Sequence, residues 1–187
     1  MSEEIFEIVR LPITVATQSR RRLWERLAVR FPGAVAFLVR TVLRLPPTSR
    51  LRQSLFRRFT RQGVEALNRG DFETVFCSFY APEVEFDPGP RFRALGMEET
   101  RGREERVRFQ ERWIAEWGEF RFEPAEVIDF NDGRVMIQGR VTGVGPSSGA
   151  PIDDEWASLF TLSAGWVDRE EAFFDHAEAL EAAGLSE

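Results

Sequence analysis

The segment from Phe120 to Val167, FRFEPAEVIDFNDGRVMIQGRVTGVGPSSGAPIDDEWASLFTLSAGWV, decides the fold of this chain. Its apolar side chains recur with a period of two, which is the period of a strand with one buried face. Turn signals divide it at 131–133, 146–149 and 163–165. Because short turns join neighbouring strands in antiparallel fashion, the segment predicts four strands of an antiparallel sheet.

The residues before Phe120 show helical spacing instead. The apolar pattern, the caps and the breakers together predict five helices and one extended run ahead of the sheet, and one capped helix after it. The helices begin near Thr17 or Ser19, Val35, Thr48 or Ser49, Phe72 and Val107, the extended run is 84–87, and the last helix follows Asp175. The third helix is predicted to bury one face, formed by Leu51, Leu55, Phe59, Gly63 and Ala66. Helices followed by a strand meander predict an α+β fold.

The charge of the chain is divided unevenly along its 187 residues. All 25 basic residues are arginines, and the formal net charge is −6. Residues 8–63 hold 13 arginines and one acid, Glu25, so this segment carries +12 and the remainder carries −18. The net charge of −6 therefore describes neither part of the molecule.

Composition also excludes several classes of protein. One cysteine, Cys77, forms no internal disulfide, and with one histidine the chain assembles no zinc site of the Cys and His type. We expect no metal and no cofactor. The acidic start is unlike a signal peptide, and the most apolar window, 34–45, is too short to span a bilayer and contains two arginines. A cytoplasmic protein is the prediction.

Five segments carry a resemblance to a known family. They are VEALNRGDF at 64–72, YAPEVEF at 80–86, RGRE at 101–104, FRFEP at 120–124 and DHAEALEAAGL at 175–185. In this order they resemble bacterial SnoaL-like proteins of the nuclear-transport-factor-two-like superfamily. The resemblance implies helices packed on a strongly curved antiparallel sheet, forming a cone whose interior holds a small apolar molecule, and it implies a homodimer. Residues 51–187 would form the cone domain and residues 1–50 an arginine-rich helical extension, although 4–10 resembles the usual opening of the family.

Asp87 is the first candidate catalytic residue. The resemblance places it where ketosteroid isomerases of the superfamily keep a proton-shuttling aspartate, and a carboxylate in an apolar cone has a raised pKa. The other isomerase groups are missing, because the oxyanion-hole tyrosine would fall near Gly63 and the protonated aspartate near Ser158. The alternative is that Asp87-Pro88 begins a turn, where aspartate bonds to the backbone.

Arg140 is the second candidate, and it lies in the middle of a predicted strand. The surrounding pattern resembles limonene epoxide hydrolases, in which an arginine bridges two catalytic aspartates. Here the partner positions are Thr142 and Ala172, so both carboxylates are absent. The favoured alternative is a cross-strand ion pair with Asp154, Glu155 or Glu126.

His176 is the only histidine, yet it directly follows Asp175, which we interpret as the cap of the last helix. An exposed or interface position is therefore preferred to a catalytic one.

The chain also contains 17 phenylalanines and 5 tryptophans. From these and the single tyrosine we predict that the pocket is lined by Phe59, Tyr80, Trp113, Trp117, Trp156, Phe160 and Phe173.

Three interpretations of the arginine-rich extension stay open. Nucleic-acid binding is the least favoured, because no recognition motif accompanies the charge and the whole protein is acidic. Contact with an anionic membrane surface through an amphipathic basic face is a second interpretation. The preferred one is that the arginines pair with carboxylates of the acidic cone, so that the extension covers the pocket or builds the dimer.

Two function classes follow from these features. The first is binding of a small hydrophobic or oxygenated molecule with isomerase-like or cyclase-like acid–base chemistry through Asp87 and Arg140. The second is a noncatalytic binding or interaction module that keeps the fold without the chemistry. The sequence does not decide whether the protein is an enzyme.

Overall fold

The computed structural model describes residues 8–15, 20–94, 96–116, 118–145 and 149–185. Within them the chain forms seven helices and seven strands. The helices are α1 Leu23–Arg30, α2 Pro32–Leu43, α3 Arg50–Asn68, α4 Phe72–Phe79, α5 Pro90–Ala94, α6 Arg103–Ala115 and α7 His176–Ala182. The strands are β1 Val9–Pro12, β2 Tyr80–Pro88, β3 Thr100–Arg101, β4 Gly118–Asp129, β5 Arg134–Val144, β6 Pro151–Ser163 and β7 Trp166–Phe173.

All seven strands belong to one curved sheet in the order β1-β4-β5-β6-β7-β2-β3. The long meander β4 to β7 is antiparallel throughout, as the period of two predicted. One pair departs from the antiparallel prediction, because β2 runs parallel to β7. The reason is topological: α5, β3, α6 and the strands β4 to β6 lie between β2 and β7, and such a crossover permits parallel pairing. The predicted α+β class with helices packed on a curved sheet is confirmed.

The alternation of side chains along β6 and β7 separates two apolar layers. On one face, Trp156 and Ala172 join a large aromatic core that includes Phe92, Trp113 and Phe122. On the other face, a second cluster packs against α7 and contains Ile128, Met136, Ala157, Leu159, Phe173 and Ala179. The sheet is therefore covered on both sides, and the helices α3, α4 and α6 cover the concave side.

The third helix presents a face different from the predicted one. Phe59 and Ala66 do turn inward, but Leu51 is 59% exposed and Arg52 is fully buried in its place. Arg52 donates from Nε and one terminal nitrogen to the two carboxylate oxygens of Asp129, at 2.7 and 2.8 Å. It also donates to the carbonyl oxygens of Leu43 and Leu45. This buried ion pair fixes the α2–α3 corner against the end of β4.

The N-terminal segment joins the domain in two ways. Its first described strand, β1, extends the sheet by pairing with β4, so the segment is not purely helical. Helix α1 then packs on α4, where Arg21 makes a two-pronged contact with the carboxylate of Asp71, one bond being 2.6 Å from Nε to Oδ2. The single acid of the basic segment, Glu25, is fully buried and lies 2.9 Å from Arg69. Arginine–carboxylate pairs thus hold the start of α1 against the corner between α3 and α4.

No helix among the described residues has the length and apolarity needed to cross a bilayer.

Candidate functional site

The concave side of the sheet encloses a cavity of about 170 Å³. Its walls are contributed by α2, α3, α4, α6 and five strands, and they are mostly aromatic and aliphatic. The apolar lining comprises Val39, Phe56, Phe59, Val64, Leu67, Val75, Phe76, Phe79, Phe120, Phe122, Val135, Ile137, Trp156, Phe160, Leu162 and Val167. An apolar cavity with few polar groups is the usual form of a small-molecule site.

A connected cluster of buried polar side chains forms one end of this cavity. Glu170 of β7 is its centre, and its Oε2 accepts from Tyr80 Oη at 3.1 Å and from two nitrogens of Arg106 at 3.1 and 3.2 Å. Its Oε1 lies 3.4 Å from the hydroxyl of Ser158, which in turn accepts from the indole nitrogen of Trp156. Buried charges cost free energy unless they are paired, and here Arg106 and Glu170 neutralise each other.

The aromatic surroundings reinforce this cluster. The guanidinium carbon of Arg106 lies 3.9 Å from the ring centroid of Phe86 and 4.9 Å from that of Phe76. Burial raises the pKa of Tyr80 well above its usual value, and the negative charge of Glu170 adds to the rise while Arg106 opposes it. Tyr80 therefore stays protonated and donates to Glu170.

Gln110 contributes a neutral polar group with spare donors to this cluster. Its Oε1 accepts from Arg106 at 2.6 Å. Because a guanidinium only donates, this contact fixes the amide orientation and leaves the NH2 group without a hydrogen bond to another described residue. Gln110 is buried and lines the cavity. Its amide nitrogen can therefore donate to an oxygen of a bound molecule.

Gly63 keeps space open on the helical wall. It lies in the middle of α3, where glycine costs about 1 kcal/mol relative to alanine. A Cβ built at this position meets nothing within 4 Å, and Gly63 lines the cavity. The residue thus favours cavity volume over helix stability.

The comparison with protein families decides the membership of the chain. A family model described as a SnoaL-like domain matches residues 60–169. The chain belongs to the SnoaL-like domain family. The match begins within α3 and ends within β7, so it covers β2 to β6, the first half of β7 and most of the cavity walls. The resemblance inferred from the sequence is confirmed.

Solved structures of the same fold place this SnoaL-like domain among relatives of low sequence identity. An NTF2-like protein of unknown function from Burkholderia pseudomallei is 22% identical over 66% of this chain and 93% of its own, with a TM-score of 0.56. Bal32a, from a soil-derived mobile gene cassette, is 24% identical over 67% and 92% of the two chains, at 0.55. TerC, co-crystallised with polyporic acid, is 19% identical over 68% and 97%, also at 0.55. No match was found among curated proteins.

Four of the seven predicted pocket residues line the cavity of this SnoaL-like domain, namely Phe59, Tyr80, Trp156 and Phe160. Trp113 lies behind the wall, with its ring centroid 5.8 Å from that of Trp156. Phe173 lies on the opposite face of the sheet with the α7 cluster, because the strand period turns its neighbour Ala172 inward. Trp117 lies outside the described residues.

The structure does not place Asp87 in the cavity. In β2 the side chains of Val84 and Phe86 are buried. Asp87 follows Phe86 directly, so its side chain points to the opposite face of the strand, where it is one-third exposed. Its carboxylate accepts from Arg93 and, at 3.2 Å, from Arg169. Asp87 is a strand residue rather than part of a turn. Asp87 therefore lies neither in the cavity, as the predicted proton transfer requires, nor in a turn, as the alternative interpretation requires.

Arg140 also lies outside the cavity, on the exposed surface of β5. Its Nε donates to Asp153 at 2.9 Å, and both side chains are more than half exposed. The ion-pair interpretation thus describes its surroundings, although the partner is Asp153 rather than any acid named from the sequence. The structure brings Asp87 and Arg140 neither to the cavity nor to each other.

His176 begins α7, away from the cavity. Its Nε2 lies 2.9 Å from the carbonyl oxygen of Gly139 and 3.2 Å from that of Trp156. Asp175 caps the helix, accepting from the backbone nitrogens of Ala177 and Glu178 as its sequence position predicted. Among the described residues no group of three or more His, Cys, Asp and Glu side chains is arranged to hold a metal.

Proposed function

We propose that this SnoaL-like protein binds a small, uncharged, mainly apolar molecule that carries at least one oxygen acceptor. The observation that carries the proposal is the cavity itself, apolar along its walls and polar at one end. An engineered apolar cavity of about 150 Å³ accommodates benzene, so a cavity of about 170 Å³ suits a ligand with a single ring.

The polar end favours a neutral ligand over a charged one. Arg106 and Glu170 already neutralise each other, and a further buried charge would have no partner. The free donors of Gln110 favour a carbonyl, ether or hydroxyl oxygen, because an unpaired buried donor costs about 1–3 kcal/mol. TerC, which has the same fold, was crystallised with polyporic acid, and this supports a small organic ligand for the present chain.

Binding is a better proposal than acid–base catalysis. Asp87 lies outside the cavity, and the carboxylate inside it, Glu170, accepts three charge-assisted or hydroxyl hydrogen bonds on one oxygen. Tyr80 and Arg106 thus already occupy this oxygen, which leaves it poorly placed to accept a proton from a ligand. The cluster is therefore suited to orient a ligand oxygen through Gln110.

A homodimer and a cytoplasmic location stay predictions from the sequence.

Binding can be tested with two probes of the same shape, 4-fluoroacetophenone and 1-ethyl-4-fluorobenzene, followed by ¹⁹F NMR. We expect both to bind, the ketone more tightly. Gly63→Phe should abolish binding of both because its ring occupies the cavity, and the folded state should be retained because glycine is the weaker helix former. Retention of the fold is checked by circular dichroism.

The matched control is Gly33→Phe. Gly33 also has no atom within 4 Å of a built Cβ, but it lies on the exposed side of α2. This variant should bind both probes as the parent protein does. Unchanged binding in Gly63→Phe, or no binding of either probe to the parent, would contradict the proposal.

A further inference from the structure

The outer face of α1, α2 and the start of α3 concentrates exposed apolar side chains. All six large hydrophobic residues that are well exposed in the described part of the chain lie here, between 42% and 73% exposed: Leu23, Leu27, Phe31, Phe37, Leu38 and Leu51. Leu23 and Leu27 are four residues apart and so share one side of α1, and Phe31 is the residue that caps the end of this helix. Concentrated exposed apolar side chains mark interaction sites. We call this surface the outer helical face.

The charge on the outer helical face is of one sign. Arg26, Arg30 and Arg44 are exposed, and none of them forms an ion pair with another described residue. The one acid between residues 8 and 63, Glu25, is fully buried beneath α1 against Arg69. The surface therefore presents leucine, phenylalanine and arginine without any exposed carboxylate in that segment.

We propose that the outer helical face docks on an anionic lipid surface. Apolar side chains flanked by basic ones are the composition of helices that lie in the plane of a membrane interface. The acyl boundary takes up the leucine and phenylalanine side chains while the arginines meet lipid phosphates, with which a guanidinium forms two-pronged contacts.

A second copy of the chain fits this face less well. Most homodimers are two-fold symmetric and bring the same patch of both subunits together. Here that arrangement would place arginines of one subunit against arginines of the other, with no exposed acid of the segment to compensate. The lipid surface supplies the opposite charge along its whole extent.

The docking face lies on the reverse side of a cavity wall. In α2 the side chain of Val39 lines the cavity, whereas Phe37 and Leu38 are exposed on the outer helical face. An apolar ligand that partitions into the membrane would thus be one helix away from the cavity. The docking itself requires no ligand and stands independently of the proposed binding function.

The test is co-sedimentation of the full chain with vesicles. We expect it to pellet with phosphatidylcholine vesicles that contain phosphatidylglycerol and to stay in solution with phosphatidylcholine alone. Arg26→Gln with Arg30→Gln should weaken binding about thirtyfold, since each arginine near an anionic surface contributes about a factor of five. Leu23→Ser with Leu27→Ser should also release the protein, because it removes the inserted side chains.

The matched control is Arg108→Gln with Arg112→Gln, which removes two exposed arginines at the same spacing on α6. This pair should leave vesicle binding unchanged, and an equal loss would show unspecific charge attraction and overturn the proposal. Absence of binding to the phosphatidylglycerol vesicles would also overturn it. So would light scattering that shows a dimer which Leu23→Ser with Leu27→Ser converts to a monomer, because the face would then be covered by a second copy.

Discussion

The amide of Gln110 is held in one orientation by Arg106, and under the proposed function we expect ligand selectivity to depend on it. Gln110→Leu keeps a side chain of similar size and removes the donor. We expect the affinity for 4-fluoroacetophenone to fall about fivefold, the value of one hydrogen bond of about 1 kcal/mol. The affinity for 1-ethyl-4-fluorobenzene should be unchanged or slightly higher. Equal losses for the two probes, measured by ¹⁹F NMR titration, would show that Gln110 has no part in recognising oxygen.

Individual aromatic residues of the cavity could be predicted from the sequence, whereas its polar residues could not. Phe59, Tyr80 and Phe160 stand at positions whose apolar character already indicated burial. Arg106 and Gln110 occur in REERVRFQER, a run that is typical of a solvated helix. Their burial depends on Glu170, which is 64 residues from Arg106. No local pattern reports a pairing over that distance.

The burial of Arg52 was equally hard to predict from the sequence, and it matters for the stability of the fold. Arginine at the start of a helix is normally exposed, yet this one forms a buried pair with Asp129. Arg52→Met should lower the free energy of unfolding by about 3–5 kcal/mol, because it leaves an uncompensated buried carboxylate. Arg52→Met with Asp129→Asn should cost less than the single change. Urea unfolding measures both, and a loss below about 1 kcal/mol for Arg52→Met would show that the pair is dispensable.

At the scale of elements, α1 is attached to α4 through Asp71, the cap of α4. Burial opposes ionisation of Asp71, but hydrogen bonds from Arg21, Thr74 and Arg69 outweigh it and lower its pKa from 3.8 to about 2. A lowered pKa stabilises the fold above the unfolded value. This contribution is complete above about pH 4 and is lost as the pH falls towards about 2.

Replacing Arg21 tests this attachment. Arg21→Gln should raise the pKa of Asp71 towards its ordinary value, so that the acid-induced loss of stability shifts to higher pH. Arg20→Gln, at the exposed neighbouring position, should leave the pKa of Asp71 unchanged. Carboxyl ¹³C NMR across the acid range measures the pKa directly. An equal pKa of Asp71 in both variants and the parent would show that the hydrogen bonds from Thr74 and Arg69 are sufficient to lower it.

The elements themselves were largely predictable, since period and turn signals predicted the meander and most helices. Strands β1 and β3, helix α5 and the parallel pairing of β2 with β7 were not. The short helix α5 lies between the predicted extended run and the helix predicted near Val107, where no element was expected, and it buries Phe92, whose ring stacks on that of Phe174 at 3.8 Å. The parallel pairing of β2 with β7 joins segments about 80 residues apart, and the register of such a pair depends on tertiary packing rather than on local sequence.

At the scale of the whole molecule, the division of charge has a structural counterpart. The basic segment turns some arginines towards Asp71, Glu73 and Glu65 of the domain and others to the outer helical face. The same segment contributes Val39, Phe56, Phe59 and Gly63 to the cavity. This segment is thus both part of the cavity wall and the location of all six well-exposed large apolar side chains among the described residues. The net charge of −6 conceals this double role.

The most direct test of the account is a crystal structure of the protein with 4-bromoacetophenone, in which anomalous scattering locates the bromine. The account predicts bromine inside the cavity between α3 and β6, with the ketone oxygen within hydrogen-bonding distance of the Gln110 amide nitrogen. A cavity that stays empty at saturating ligand, or bromine bound only elsewhere on the molecule, would contradict it.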